Sequence, residues 1–151
     1  MSIQSIKVKD LEGKAVDLIQ KYANENLVII IYNNDCLGCT GRAIPLAYDF
    51  QQKYPAVKVV GIHSDFPNRE GSKESIEAIF TSGEAPFPIY IDENHQVYDQ
   101  LEADGTPHWL LFNKKGELYK SIFGSQDGAQ NRLFYSLESM LEEQEILFKK
   151  I

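Results

Sequence analysis

Residues Leu27–Cys39 read LVIIIYNNDCLGC, and this stretch decides the fold. Its first part, Leu27–Tyr32, is apolar and mostly β-branched, a run typical of a central strand that is buried on both faces. Three polar residues then form a turn, and Cys36 and Cys39 stand where a helix is predicted to begin. A thiol at a helix N-terminus faces free backbone N–H groups and the positive end of the helix dipole, which favour the thiolate. The pattern therefore predicts a dithiol that cycles between reduced and oxidised states.

Cys36 and Cys39 are the only two cysteines of the chain, and three structural roles compete with redox chemistry. A structural disulfide between them would close a very short loop, which is worth only about 2 kcal/mol. A zinc site needs two further ligands, whereas His63, His95 and His108 are scattered along the chain. Two inert buried thiols are the third alternative. Redox chemistry is favoured over these roles, and we expect neither a metal nor a cofactor.

Length and composition limit the classes of partner. The 151 residues, 43% of them hydrophobic and 25% charged, predict one globular domain over residues 1–151. The net charge of −7 argues against nucleic acid or an anionic membrane surface as the main partner. No apolar run is long enough to span a membrane. Residues 1–6 lack a secretion signal, so the sequence as it stands predicts a cytoplasmic protein. A chain from which a signal had been removed would be periplasmic or anchored.

Strands and helices alternate through the first two thirds of the chain. A helix is predicted over Cys36–Lys53, with Pro45 kinking it, and a strand over Val57–Ile62. A further helix near Ser72–Thr81 and a short strand over Phe87–Ile91 follow. Elements in this order predict parallel βαβ units with right-handed crossovers.

The last third predicts a short helix, an antiparallel hairpin and a long helix. Asn94 is predicted to cap the short helix. The strands 107–112 and 117–123 are joined by Asn-Lys-Lys-Gly, a strong hairpin signal. The final helix is predicted over Ala129–Phe148, and one apolar stripe is expected to pack in the core. That stripe comprises Leu133, Leu137, Met140, Leu141 and either Ile146 or Leu147.

Four features occur in a set order. They are the strand-to-CxxC junction Ile31–Cys39, Pro45 in the following helix, the strand Val59–Ile62 leading to Asp65, and Gly105-Thr106-Pro107 opening the hairpin. In these features the chain resembles the thioredoxin superfamily, and within it the TlpA/ResA-like thiol–disulfide oxidoreductases. The resemblance covers roughly residues 10 to 145. It implies a thioredoxin-like α/β fold, with a central mixed sheet flanked by helices and an inserted helix–strand segment over about Ser72–Ile91.

The resemblance also implies roles for residues around the dithiol. Pro107 is expected to be a cis-proline that faces the cysteines, and Thr106 to offer backbone hydrogen bonds to an extended substrate segment. In three places the chain departs from the family. The family often has a buried carboxylate near the dithiol, whereas Leu27–Ile31 is entirely apolar. Asp35 replaces the usual tryptophan, and Pro45 lies one residue further from the second cysteine than usual. Gly41 is predicted to absorb the extra residue.

Thiol–disulfide exchange with protein disulfides, followed by recovery from an upstream thiol reductant, is the predicted activity. Cys36 is expected to attack and Cys39 to resolve the mixed disulfide. Leu37 and Gly38 carry no charge and Asp35 is negative, so the thiolate is stabilised little. A reductant is therefore predicted, with a potential nearer that of thioredoxin (about −270 mV) than that of DsbA (about −120 mV). Leu37 is also expected to contact the partner.

Two other functions and four side-chain roles stay open. A peroxiredoxin-like peroxidase shares this fold, but Asn33 stands where peroxiredoxins have threonine. A non-enzymatic metal chaperone or thioredoxin-fold adaptor is the other alternative. His63, His108 and Arg42 are each either near the dithiol or engaged in local contacts. Asp35 is either a solvated turn residue or the proton acceptor for the second cysteine.

Overall fold

A computed structural model describes residues 3–149, with side chains up to residue 146. Within that range seven strands form one sheet. The strands are β1 (Lys7–Lys9), β2 (Ala15–Asp17), β3 (Asn26–Tyr32), β4 (Val57–Ser64), β5 (Ile89–Asp92), β6 (His108–Phe112) and β7 (Leu118–Phe123). The α-helices are α1 (Leu18–Lys21), α2 (Ile44–Lys53), α3 (Lys73–Glu77), α4 (Gln96–Gln100) and α5 (Asp127–Lys149). A π-helical turn covers Cys39–Ala43 and a 3-10 turn covers Glu93–His95.

The strands lie in the order β2-β1-β5-β4-β3-β6-β7, and the sheet is mixed as predicted. Strands β3, β4 and β5 are parallel neighbours, whereas β6 and β7 run antiparallel. The segment likened to a family insertion supplies α3 and β5. Every residue of β3 is buried, which confirms the prediction of a central strand. The dithiol follows the carboxyl end of β3, the edge at which parallel sheets place their sites.

Alternation along β3 sends side chains into two separate cores. Val28, Ile30 and Tyr32 pack on the side covered by α2 and α5, together with Trp109 and the buried Cys39. The residues between them face a second core that α1 and α4 cover. Because successive residues of a strand point to opposite faces, an apolar run of this length requires helices on both sides.

The predicted Cys36–Lys53 helix is divided into a π-helical turn and α2. A π turn holds one more residue than an α turn. It contains Gly41, so the prediction that the extra residue is absorbed there is confirmed. The kink at Pro45 stays a prediction, and Pro45 lies where regular α-helix resumes directly after the π turn. Pro45 lies in the first turn of α2, where its missing N–H needs no partner.

Asn94 does not cap the short helix. It adopts a left-handed conformation with φ of 55° inside the 3-10 turn. Asp92 does the capping instead, because its carboxylate accepts from the N–H groups of Val97 and Tyr98 at 2.8 and 3.0 Å. Helix α4 therefore begins at Gln96.

The core-facing stripe of α5 is confirmed at three of its predicted positions. Leu133, Leu137 and Met140 are each 1% exposed and pack in the core. Ile146 is 47% exposed, so its inclusion in the stripe is wrong. The alternative residue, Leu147, lies outside the described side chains.

Candidate active site

The two cysteines occupy different depths at the end of β3. They form a disulfide, and their Cα atoms are 5.2 Å apart. Cys36 is partly exposed, whereas Cys39 has no exposed surface. The backbone N–H of Cys39 donates to Cys36 Sγ at 3.2 Å. A hydrogen bond to sulfur favours the thiolate, so the reachable cysteine is also the one that the backbone stabilises when reduced.

Thr106 and Pro107 lie against the exposed cysteine. The peptide bond between them is cis, and Cys36 Sγ is 3.4 Å from the carbonyl oxygen of Thr106. The carbonyl oxygen of Pro107 accepts from the N–H of Gly124 at 2.9 Å. The indole N–H of Trp109, a fully buried side chain, donates to the carbonyl of Gly124 at 2.9 Å. The start of β6 and the end of β7 are thereby joined beside the dithiol.

The two residues between the cysteines differ in accessibility. Leu37 is 86% exposed, which is a large exposed fraction for a leucine side chain. Gly38 is partly buried and has a right-handed helical backbone. The hydroxyl of Ser125, in the loop before α5, lies over Gly38. Sequence reasoning missed Ser125, because nothing local to it indicates a contact with the CxxC turn.

Asn33 holds the turn that leads to Cys36. Its side chain is buried and donates to the carbonyl oxygens of Ser64 and Arg69, each at 3.0 Å. Its Oδ1 accepts from the N–H of Asp35 at 2.9 Å. The amide group of Asn33 therefore holds the turn in place through these three hydrogen bonds. Its importance was missed, because the sequence shows the turn but not the two distant carbonyls that it binds.

His63 completes this support. Nε2 accepts from the N–H of Asn34 at 3.2 Å, which assigns the proton to Nδ1, and Nδ1 lies 2.9 Å from Asp65 Oδ1. Asp65 Oδ1 also accepts from the N–H of Gly71 at 2.9 Å. Both ring nitrogens are therefore engaged in local bonds, and His63 supports the turn that leads to Cys36.

His108 is likewise engaged locally. Nδ1 accepts from the N–H of Asp104 at 3.3 Å, and Nε2 donates to Ser121 Oγ at 2.6 Å. Burial lowers the pKa of His108, and the nearby Asp104 carboxylate offsets only part of that effect. The imidazole is accordingly neutral near pH 7, and it does not supply positive charge to the dithiol.

The lowered pKa of His108 predicts a pH effect on stability. The unfolded chain takes up a proton below pH about 6.5, whereas the folded chain resists it, so stability falls as the pH drops from 7.5 to 5. His108→Gln keeps an N–H donor and does not titrate. Urea unfolding should show a larger loss between the two pH values for the wild type than for this variant. Equal losses would contradict the assignment.

The side chains of Asp35 and Arg42 contact residues other than the two cysteines. Asp35 is 60% exposed in its side chain, and its Oδ2 lies 3.8 Å from Arg69 Nε. Arg42 donates to Gln126 Oε1 at 2.9 Å. The geometry favours the reading of Asp35 as a solvated turn residue, and Arg69 offsets part of its charge.

Neither a metal centre nor a membrane segment is visible in the part of the chain that the structure describes. No group of three or more His, Cys, Asp or Glu side chains within it is placed to hold a metal ion. None of the described helices is long and apolar enough to cross a bilayer.

The chain is similar to known thiol–disulfide oxidoreductases. The AhpC/TSA family matches residues 2–121. Sporulation thiol-disulfide oxidoreductase A of Bacillus subtilis is 21% identical over 123 residues, 82% of this chain and 73% of the relative. Thiol-disulfide oxidoreductase YkuV of the same organism is 24% identical over 116 residues, 72% of this chain and 78% of the relative.

Solved structures share the fold. A thiol-disulfide isomerase from Corynebacterium glutamicum superposes with a TM-score of 0.74 at 18% identity, over 93% of this chain and 96% of that one. The family match covers most of the chain, and the relatives named above agree in their chemistry. The chain therefore belongs to the AhpC/TSA family and is a thioredoxin-like thiol–disulfide oxidoreductase.

Proposed function

We propose that the protein reduces disulfide bonds of other proteins, with Cys36 as the nucleophile and Cys39 as the resolving thiol. The observation that carries this proposal is the difference between the two sulfurs. Cys36 is partly exposed and its Sγ accepts the N–H of Cys39, whereas Cys39 is buried behind it. A substrate can reach the first sulfur and not the second.

The proposed cycle transfers two electrons from the dithiol to the substrate. The Cys36 thiolate attacks one sulfur of the substrate disulfide, and the other sulfur leaves as a thiolate that takes a proton from water. Cys39 then loses its proton and attacks Cys36 Sγ, which releases the second substrate sulfur as a thiolate. The oxidised Cys36–Cys39 pair is returned to the dithiol by an upstream thiol reductant.

The substrate segment is proposed to bind in an extended conformation beside Thr106. Its backbone would pair with the main chain of Thr106, a form of β-augmentation that places a substrate sulfur near Cys36. The short distance from Cys36 Sγ to the Thr106 carbonyl supports this placement. Leu37, which projects into solvent from the CxxC turn, is proposed as an apolar contact for the substrate.

Reduction of the interchain disulfides of insulin, followed by turbidity with dithiothreitol as the electron source, tests the proposed activity. We expect the wild-type protein to accelerate precipitation catalytically. Stoichiometric binding of copper or zinc by the dithiol form without any acceleration would favour the non-enzymatic alternative instead.

Leu37→Ser is expected to weaken the binding of protein substrates and to leave the binding of small disulfides unchanged. Covering a leucine side chain is worth about 1.5–3 kcal/mol when burial is complete, so partial burial predicts a rise in KM of roughly tenfold. The rate with a small aromatic disulfide should change little, because that substrate does not cover Leu37. Steady-state kinetics with both substrates measures the difference.

Ile146→Ser is the matched control for this experiment. Ile146 is also an exposed aliphatic residue, with an exposed fraction of 47%. Helix α5 begins at Asp127, two residues after Ser125, which contacts the CxxC turn. Ile146 lies nineteen residues further along this helix, which corresponds to about 28 Å. Its replacement should leave both KM values unchanged. Equal effects of the two substitutions would remove Leu37 from the proposed contact surface.

A further inference from the structure

Position 38 is occupied by glycine although its backbone does not require one. Gly38 has φ of −67° and ψ of −23°, a right-handed helical conformation open to every L-amino acid. Glycine in a helical position is unfavourable by roughly 1 kcal/mol relative to alanine. The reason for this residue must therefore lie outside the local backbone.

A tertiary contact supplies the reason. A Cβ atom added to Gly38 would lie 3.0 Å from Ser125 Oγ and 3.9 Å from Pro107 Cδ. The first distance is shorter than ordinary van der Waals contact, so a side chain at position 38 and the Ser125 hydroxyl compete for one space. The neighbouring residue of the turn, Leu37, is mostly exposed to solvent.

Ser125 is held in place by its neighbours. It is 6% exposed, and its carbonyl oxygen accepts from Gln130 Nε2 at 3.0 Å. The preceding residue, Gly124, is bonded through its N–H to Pro107 and through its carbonyl to Trp109. The backbone of this loop is therefore fixed to both α5 and β6, so an enlarged residue 38 must be accommodated by the Ser125 hydroxyl or by movement of the CxxC turn.

We propose that Ser125 is a positioning residue for the dithiol, which restricts position 38 to glycine and keeps the CxxC turn close to the cis-proline loop. A larger residue at position 38 pushes the segment outward and lengthens the bond from the Cys39 N–H to Cys36 Sγ. The Cys36 thiolate then loses stabilisation. This inference rests on the proposed roles of Cys36 and Cys39.

The test is a double-mutant cycle read at Cys36. In the dithiol form, Gly38→Ala should slow alkylation of Cys36 at pH 7 by roughly three- to tenfold, because it weakens one hydrogen bond to the thiolate. The pH profile of alkylation should move to higher pH by about 0.5–1 pH unit, which corresponds to that change in rate. Combined with Ser125→Ala, which removes the hydroxyl and keeps Cβ, Gly38→Ala should leave the alkylation rate close to that of Ser125→Ala alone.

Gly41→Ala is the matched control. Gly41 is likewise a glycine in a helical segment, two residues after Cys39, but nothing stands within 4 Å of an added Cβ. It should leave the pH profile of Cys36 unchanged. Thermal unfolding of every variant separates a change in thiolate chemistry from a loss of folding.

Two results would overturn the inference. In the first, Gly38→Ala matches Gly41→Ala in the alkylation profile. In the second, Gly38→Ala slows Cys36 equally in the presence and absence of the Ser125 hydroxyl. Either result with a reactive wild type leaves the proposed function standing. A wild type whose Cys36 resists alkylation overturns the proposed function, and the inference with it.

Discussion

Cys36→Ser is expected to abolish insulin reduction, with the rate falling by at least about a hundredfold to the level without protein. The serine hydroxyl is not ionised near pH 7, so no nucleophile remains at the partly exposed position. Cys39 cannot replace it, because its side chain has no exposed surface. The measurement is the initial rate of turbidity at equal protein concentrations.

Cys39→Ser should behave differently from Cys36→Ser. The first step still proceeds, but no resolving thiol remains, so the substrate stays bound to Cys36 as a mixed disulfide. Non-reducing electrophoresis and mass spectrometry should identify a Cys36 adduct with a defined disulfide peptide. The double variant Cys36→Ser/Cys39→Ser is the control and should form none. An adduct through Cys39 in Cys36→Ser, with none in Cys39→Ser, would reverse the proposed roles.

The midpoint potential of the Cys36–Cys39 couple is expected to lie nearer about −270 mV than about −120 mV. These limits differ by about five powers of ten in the equilibrium constant, so the measurement decides clearly between a reductant and an oxidant. The reason is that stabilisation of the thiolate rests on a backbone hydrogen bond, since Leu37 and Gly38 are uncharged and His108 is neutral. Equilibration with thiol–disulfide buffers of known potential provides the value. A potential above about −180 mV would contradict the proposed direction of electron flow.

Charges near the turn should move this potential in opposite directions. Asp35→Asn removes a negative charge beside Cys36 and should raise the potential, whereas Arg69→Gln removes the opposing cation and should lower it. Both side chains are mostly exposed, so each shift should be small, roughly 10–20 mV. Shifts of the same sign would mean that the substitutions act through the turn and not through charge.

Most of the architecture could be predicted from local patterns. The apolar run of β3, the alternation of strands and helices and the hairpin turn are all encoded over short distances. The position of Cys36 and Cys39 after a buried strand has the same origin. The errors at Asn94 and Ile146 concern where elements begin and end. Those boundaries depend on which side chains cap or cover them.

The sequence by itself therefore determined the dithiol, the strand that presents it and the family resemblance around Thr106 and Pro107. Only the tertiary structure decided how the dithiol is held. Asn33 binds carbonyls of a distant loop, His63 accepts from the turn and Ser125 covers Gly38. These residues lie up to about ninety positions apart in the chain. A contact between distant residues leaves no periodicity or spacing in the sequence, because it is made only when the sheet brings separate loops to one edge.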